Sequence, residues 1–307
     1  MNSALANLRE SVSQGNWGYH PTGPQAAEPA AFACLALVAN NKLREATKLA
    51  NWLADLQKAS GSVGVTQEQD TPAWPTSLAM LAWQACDVAA GTNKFDTPRQ
   101  QALDWALRTK GKAAPQQDHI GHDTTLLGWS WAAATHSWLE PTCLFVLALK
   151  ANGQGEHPRT REGVRLLIDR LLDSGGCNFG NTRVLGQATL PHVQPTGLAM
   201  LTLADESSRD PRINRSLEYL EHILTEETST ASLCFGLLGL TAHRRRPTHA
   251  TALLENAYRR DKKQHTTNCY KLALLTLAEL ADSSWLPQPQ LLQPITSSSR
   301  KLEHETA

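Results

Sequence analysis

The chain has 307 residues, 29 basic and 29 acidic side chains and no formal net charge. That balance offers no basic face to track phosphates, so nucleic acid is not an expected partner. No stretch approaches the ~18 consecutive apolar residues of a membrane span, and "MNSALANLRESVSQGNWGY" lacks the basic start and apolar run of a signal peptide.

Read in chain order, two kinds of helical segment alternate. "SALANLRESVSQ" (3–14) is weakly amphipathic, and "EPAAFACLAL" (28–37) is apolar on nearly every side. "REATKLANWLADLQK" (44–58) mixes apolar and charged residues at 3–4 spacing, the mark of a helix with one wet face. "WPTSLAMLAW" (74–83) repeats the apolar type, and "PRQQALDWALRTK" (98–110) the amphipathic one. The pattern continues through "EPTCLFVLAL" (140–149), "TREGVRLLIDRLLD" (160–173), "QPTGLAMLTL" (194–203) and "PRINRSLEYLEHIL" (211–224). It ends with "STASLCFGLLGL" (229–240), "HATALLENAYRR" (249–260) and "HTTNCYKLALLTL" (265–277). From about Pro287, a run rich in Pro, Gln and Ser reads as a flexible tail over 287–307.

The apolar segments share a start signal. Pro29, Pro75, Pro141 and Pro195 stand where a helix begins and a missing N–H costs nothing. A helix apolar on all sides has to be enclosed, and an amphipathic one can enclose it. The expected fold is therefore all-α, an (α/α)6 toroid with an inner ring of apolar helices inside an amphipathic outer ring, in one domain over 1–286. Trp52, Trp105, Leu167 and Tyr219 hold matching slots on the outer helices and are expected between the layers. The six cysteines lack the clustering of a disulfide framework or zinc ribbon, and four lie in apolar helices. A reduced, cytoplasmic protein is expected.

Gln57, Gly61 and Val63 look like a worn Gln-Trp repeat, and "GGCNFG" (175–180) looks like a Gly-Gly-Phe-Gly turn. With the Pro-Thr inner helices, these make residues 1–281 resemble the squalene–hopene cyclase and protein prenyltransferase β-subunit superfamily. The resemblance implies a toroid with an isoprenoid-sized apolar cavity. The Asp-x-Asp-Asp acid of the class II cyclases is absent; "QEQD" (67–70) and "DHIGHD" (118–123) are the nearest acid clusters. Of the prenyltransferase zinc set, "TNCY" (267–270) matches at Cys269 and Tyr270, with Thr267 in place of Asp.

All inner helices run the same way, so their N-termini meet at one mouth. The residues just ahead of the starts are Glu28, Trp74, Glu140, Gln194, Ser229 and His265, and they are expected to ring that mouth. Such residues also serve as simple helix caps, while converging helix N-termini favour an anionic group. Trp17 and Trp129 lie equally far ahead of Pro29 and Pro141, and that register places them over the mouth. The long segment 111–139 adds Trp131, Trp138, His136 and Asp123, and loops of that length usually carry function. His119 with His122, and His265 with Cys269, are weak pairs for zinc or magnesium; no bound cofactor is expected. A buried Glu140 beside tryptophans has the setting of a general acid, with His136 next to it and Asp123 as the other acid.

The expected partner is an apolar, isoprenoid- or triterpenoid-like small molecule undergoing cyclisation or prenyl transfer. The alternative is a non-catalytic toroid binding a lipid or peptide, or serving as a partner subunit. Carbohydrate hydrolysis with Glu28 and Glu140 as the paired carboxylates ranks third.

Overall fold

In the computed structural model, which describes residues 2–116, 120–280 and 286, the apolar segments form helices α2 (Ala27–Ala39), α4 (Thr76–Ala90), α6 (Leu139–Ala151), α8 (Val193–Leu203), α10 (Thr230–Ala242) and α12 (Cys269–Ala278). The amphipathic segments form α1 (Asn2–Ser13), α3 (Leu43–Asp55), α5 (Asp96–Arg108), α7 (Pro158–Asp169), α9 (Pro211–Ile223) and α11 (Ala250–Lys263). A two-residue antiparallel hairpin, β1 (Arg183–Val184) and β2 (Gln187–Ala188), interrupts the approach to α8. The tail from Pro287 lies outside the described residues.

Burial separates the two sets as their composition demands. On α2 everything from Pro29 to Leu37 is buried, whereas α3 buries only Ala46, Leu49, Ala50 and Leu53, one stripe at helical period. The apolar helices touch in sequence, α2 to α4 to α6 to α8 to α10 to α12, and α12 returns to α2. This is a closed inner ring. Each outer helix packs against its own inner helix, and most also reach the next; α1 reaches α12, α2 and α3. Asn7 of α1 donates to the Tyr258 hydroxyl of α11 at 2.6 Å, which joins the outer ring across the chain ends.

The tightest seam is between α8 and α10. A Cβ on Gly197 would stand 2.3 Å from the Phe235 carbonyl oxygen, so only glycine permits this backbone approach. Between layers the filling is larger: Trp83 on α4 is fully buried and donates its Nε1 to the Ala50 carbonyl of α3 at 2.9 Å.

The Pro-Thr motif explains itself in three dimensions. Thr76, Thr142 and Thr196 are fully buried. Their hydroxyl oxygens accept the backbone N–H of Val63 (2.8 Å), Trp129 (3.0 Å) and Cys177 (3.0 Å) respectively. Each hydroxyl donates in turn to a carbonyl at the helix entrance, those of Ala73, Trp138 and His192. One hydroxyl thus satisfies a buried loop donor and ties the returning loop to the inner helix. A donor left unpaired at such depth costs about 1–3 kcal/mol. Pro29, Pro141 and Pro195 sit within the first turn and Pro75 caps α4, positions where the backbone N–H has no intrahelical partner.

Candidate functional site

Four inner helices place the second residue of their first turn at one rim. These are Glu28 on α2, Glu140 on α6, Gln194 on α8 and Tyr270 on α12. The sixth helix begins at Cys269 with Asn268 as its cap, so Tyr270 takes the slot expected for His265. His265 instead lies exposed in the turn that ends α11, with φ of 53°. The two glutamates are not caps. The residues that cap α2 and α6 are Ala26 and Trp138, neither with a side-chain cap bond, and both carboxylates are held by side chains.

Glu140 is 6% exposed and its Oε1 accepts from Gln194 Nε2 at 3.0 Å. Burial pushes its carboxyl up to about 7, against the opposing pull of the Gln194 bond. Glu28 is half-buried and accepts a hydrogen bond from the Tyr19 hydroxyl. Burial raises it to about 7 as well; the Tyr19 bond pulls down and the charge of Glu140 pushes up. The charge of Glu140 therefore reaches Glu28 at the rim.

A file of aromatic rings starts beside Glu28, and two further ring pairs lie near helix starts. Tyr19 packs edge-on against Tyr270 at 5.7 Å, Tyr270 against Phe32 at 5.9 Å, and Phe32 against Phe235 at 5.9 Å. This file runs from the rim down into the ring. Trp74 meets Trp131 edge-on at 4.8 Å, and His136 lies 4.4 Å from the ring of Trp138. Rings of this kind accept an apolar body and present π faces to positive charge.

Two tryptophans expected over the mouth go elsewhere. Trp129 is fully buried between the layers, stacked on Phe145 at 5.2 Å, with its Nε1 donating to the Ala106 carbonyl at 3.0 Å. Gly163 makes room: a Cβ there would stand 3.0 Å from the Trp129 ring. Trp17 is 4% exposed and edge-on to Trp52 at 5.7 Å. Their shared register has a backbone cause. The Trp17 and Trp129 carbonyls accept the N–H of Ala26 and Trp138 at the helix entrances, and this aims the side chains sideways into the gap between layers.

Asp123 is not set up as an acid. Its Oδ1 accepts from the Thr125 hydroxyl (2.6 Å) and N–H (2.8 Å), and these bonds hold it below the usual carboxylate range. His122 is buried, and desolvation, helped by the Arg170 charge, pulls its imidazole down to about 4. Arg170 donates to the Asp123 carbonyl at 3.1 Å, so this cluster pins the long loop to α7. His119 lies outside the described residues. The donors at Cys269 do not suit zinc: burial pushes the thiol up to about 12, and His265 faces solvent. Among the described residues no group of three or more His, Cys, Asp or Glu is placed to hold a metal ion. Nor is any described helix long and apolar enough to cross a membrane.

Sequence reasoning passed over Tyr19, and it met Tyr270 only as a matching position of "TNCY" and not as a member of the rim.

No family model matches the chain, and no curated protein matches it in sequence. Solved structures match it in shape. An alpha-amylase from Clostridium perfringens aligns with a TM-score of 0.60 at 8% identity, over 90% of this chain and 96% of that one. An alpha-1,6-mannanase from Salegentibacter aligns at 0.55 and 11% identity, over 92% and 99%. The type II terpene cyclase MstE from Scytonema, in complex with geranylgeranyl dihydroxybenzoate, aligns at 0.54 and 13%, over 91% and 97%. The chain is an α/α toroid, an architecture these three share while differing in what they act on.

Proposed function

We propose that the rim is the active site of an acid-initiating enzyme whose substrate is apolar and isoprenoid- or triterpenoid-like. The observation that carries this reading is Glu140, a buried carboxyl raised to about 7 among aromatic rings. Such a group holds its proton near neutrality and can deliver it to a carbon–carbon double bond. The cation so formed is met by the π faces of Tyr270, Phe32, Trp74 and Trp138. The likeness to a terpene cyclase supports a toroid mouth as a place for this chemistry. Prenyl transfer through zinc is the weaker branch, because the residues at Cys269 do not suit the metal.

A second reading rests on the pairing of Glu28 with Glu140. Two carboxyls flanking one opening are also the machinery of glycoside hydrolysis. One experiment separates the two. Purified protein is incubated with squalene, with linear prenyl alcohols and diphosphates, and with α-linked glucan and mannan. Cyclised hydrocarbon products that vanish in Glu140→Gln support the first reading, and reducing sugar released from a glycan supports the second. Tight binding of a prenyl compound with no turnover would identify a non-catalytic carrier and overturn both.

A further inference from the structure

Tyr19 belongs to no helix, yet it touches the site directly. It stands on the segment entering α2, and three contacts fix it. Its hydroxyl bonds Glu28 Oε2. Its ring lies edge-on to Tyr270, 5.7 Å away at 63°. Its backbone carbonyl accepts from Asn268 Nδ2 at 2.8 Å, and the same Asn268 caps α12 through Oδ1 to the Lys271 N–H at 2.9 Å. Cap, tyrosine and carboxyl form one chain of bonds that joins the first and last inner helices at the rim.

Glu28 and Glu140 are therefore held by different donors. A phenol hydroxyl is a stronger donor than a neutral amide and favours the ionised form of the carboxyl it binds. The Gln194 amide also favours the ionised form of Glu140, but as the weaker donor it pulls less, and burial leaves the proton in place. We infer that Tyr19 is a positioning residue that sets the proton order of the pair: it keeps Glu28 as the carboxylate and leaves Glu140 as the acid. This deepens the proposed function and rests on it for its chemical meaning. In that chemistry Glu140 gives a proton to the substrate double bond. The Glu28 carboxylate takes a proton from the final carbocation as a new double bond forms. The substrate is isomerised with no net change in atoms or electrons, and solvent restores the two carboxyls.

Among the described residues, the titratable groups of neighbouring elements that interact with the pair are themselves acids. They are Tyr19 ahead of α2, Tyr270 on α12, Cys143 on α6 and Cys177 ahead of α8, with Cys234 on α10 behind Tyr270. Their neutral forms leave the order of ionisation to the hydrogen bonds and to the mutual charge of the two glutamates.

The test is side-chain carboxyl NMR of the full chain labelled with 13C-glutamate, with Glu28→Gln and Glu140→Gln assigning the two signals. Glu28 is expected to titrate first. In Tyr19→Phe, which keeps the ring against Tyr270, the Glu28 midpoint is expected to rise by about one pH unit and the order to narrow or invert. Asn268→Ala, which frees the Tyr19 backbone while keeping its hydroxyl, is expected to move the Glu28 midpoint in the same direction by less. Circular dichroism confirms that each variant folds. The inference is overturned if Glu140 ionises first in the wild type, or if Tyr19→Phe leaves the Glu28 midpoint in place. The readout needs no substrate, so a protein that turns over nothing can still show the order, and one that turns over a prenyl substrate can still fail it.

Discussion

Thr76, Thr142 and Thr196 occupy one slot in three successive repeats and do one job; the slot two residues earlier holds Trp74, Glu140 and Gln194 and does three. The threonines each fix a returning loop to an inner helix, with the same pair of hydroxyl contacts and nearly the same distances. The earlier slot meets a tryptophan in one repeat and a buried carboxyl–amide pair across two others. The first repeat sharpens the contrast. It has Ala30 where the threonine would be and keeps only the backbone bond from Ala26 to Trp17, yet it supplies Glu28 to the rim. Positions that face the gap between layers carry the architecture, and positions that face the mouth are free to carry chemistry.

The contrast breaks most plainly at Trp129, which was expected at the mouth and lies between layers. Trp129→Ala is expected to cost about 3–5 kcal/mol in unfolding free energy, with no change in ligand binding at the rim once the protein is folded. Urea unfolding measures the first and titration with a prenyl alcohol the second. Binding lost at full stability would return Trp129 to the mouth.

Glu140→Gln is the counterpart on the other side. The folded protein holds the Glu140 proton more tightly than the unfolded chain does, because burial raises the carboxyl from 4.5 to about 7. The associated stability is complete at pH below the unfolded value and is lost as pH rises through about 7. Gln keeps the shape and cannot ionise. The variant is expected to unfold like the wild type at pH 4 and to be more stable at pH 8, by about 3 kcal/mol. A pH-independent difference between the two would show that Glu140 titrates in the fold as it does in the unfolded chain.

Thr142→Val removes the hydroxyl and leaves the Trp129 N–H without its partner. An expected loss of about 1–3 kcal/mol, with no dependence on pH between 4 and 8, separates this slot from that of Glu140. Thermal melts at both pH values check it.

How far the sequence could be read follows the same division. The double ring was legible because enclosure is a property of whole segments: α2 and α10 have no polar face, and α3 and α9 have one. Glu28 and Glu140 were legible because a Glu-Pro pair recurs at two helix starts. The role of the threonines was not, since their partners Val63, Trp129 and Cys177 lie on loops of different length, the last lengthened by the β1–β2 hairpin. The common register of Trp17 and Trp129 was real and its meaning was inverted, because the spacing reports where the backbone is tied and says nothing of which way the ring turns. The last two repeats lack the proline, the start of α12 is marked only by its Asn268 cap, and Tyr270 was passed over for His265.

That displacement gives the smallest expected effect. His265 is exposed at φ of 53° in the turn closing α11, and its N–H donates to the Lys262 carbonyl at 3.2 Å. Glycine there relieves a left-handed backbone, a gain of about 1 kcal/mol. It also adds freedom to the unfolded chain, a cost of about 0.5–1 kcal/mol. His265→Gly is expected to change stability by less than about 0.5 kcal/mol and to leave ligand binding untouched. Tyr270→Leu, by contrast, takes a ring from between Tyr19 and Phe32 and is expected to weaken prenyl binding several-fold, by loss of aromatic contacts of about 0.5–1.5 kcal/mol each. Equal effects of the two variants on binding would mean that the sixth position of the rim is shared by the turn and the helix, and that the common second-residue slot is an accident of three repeats.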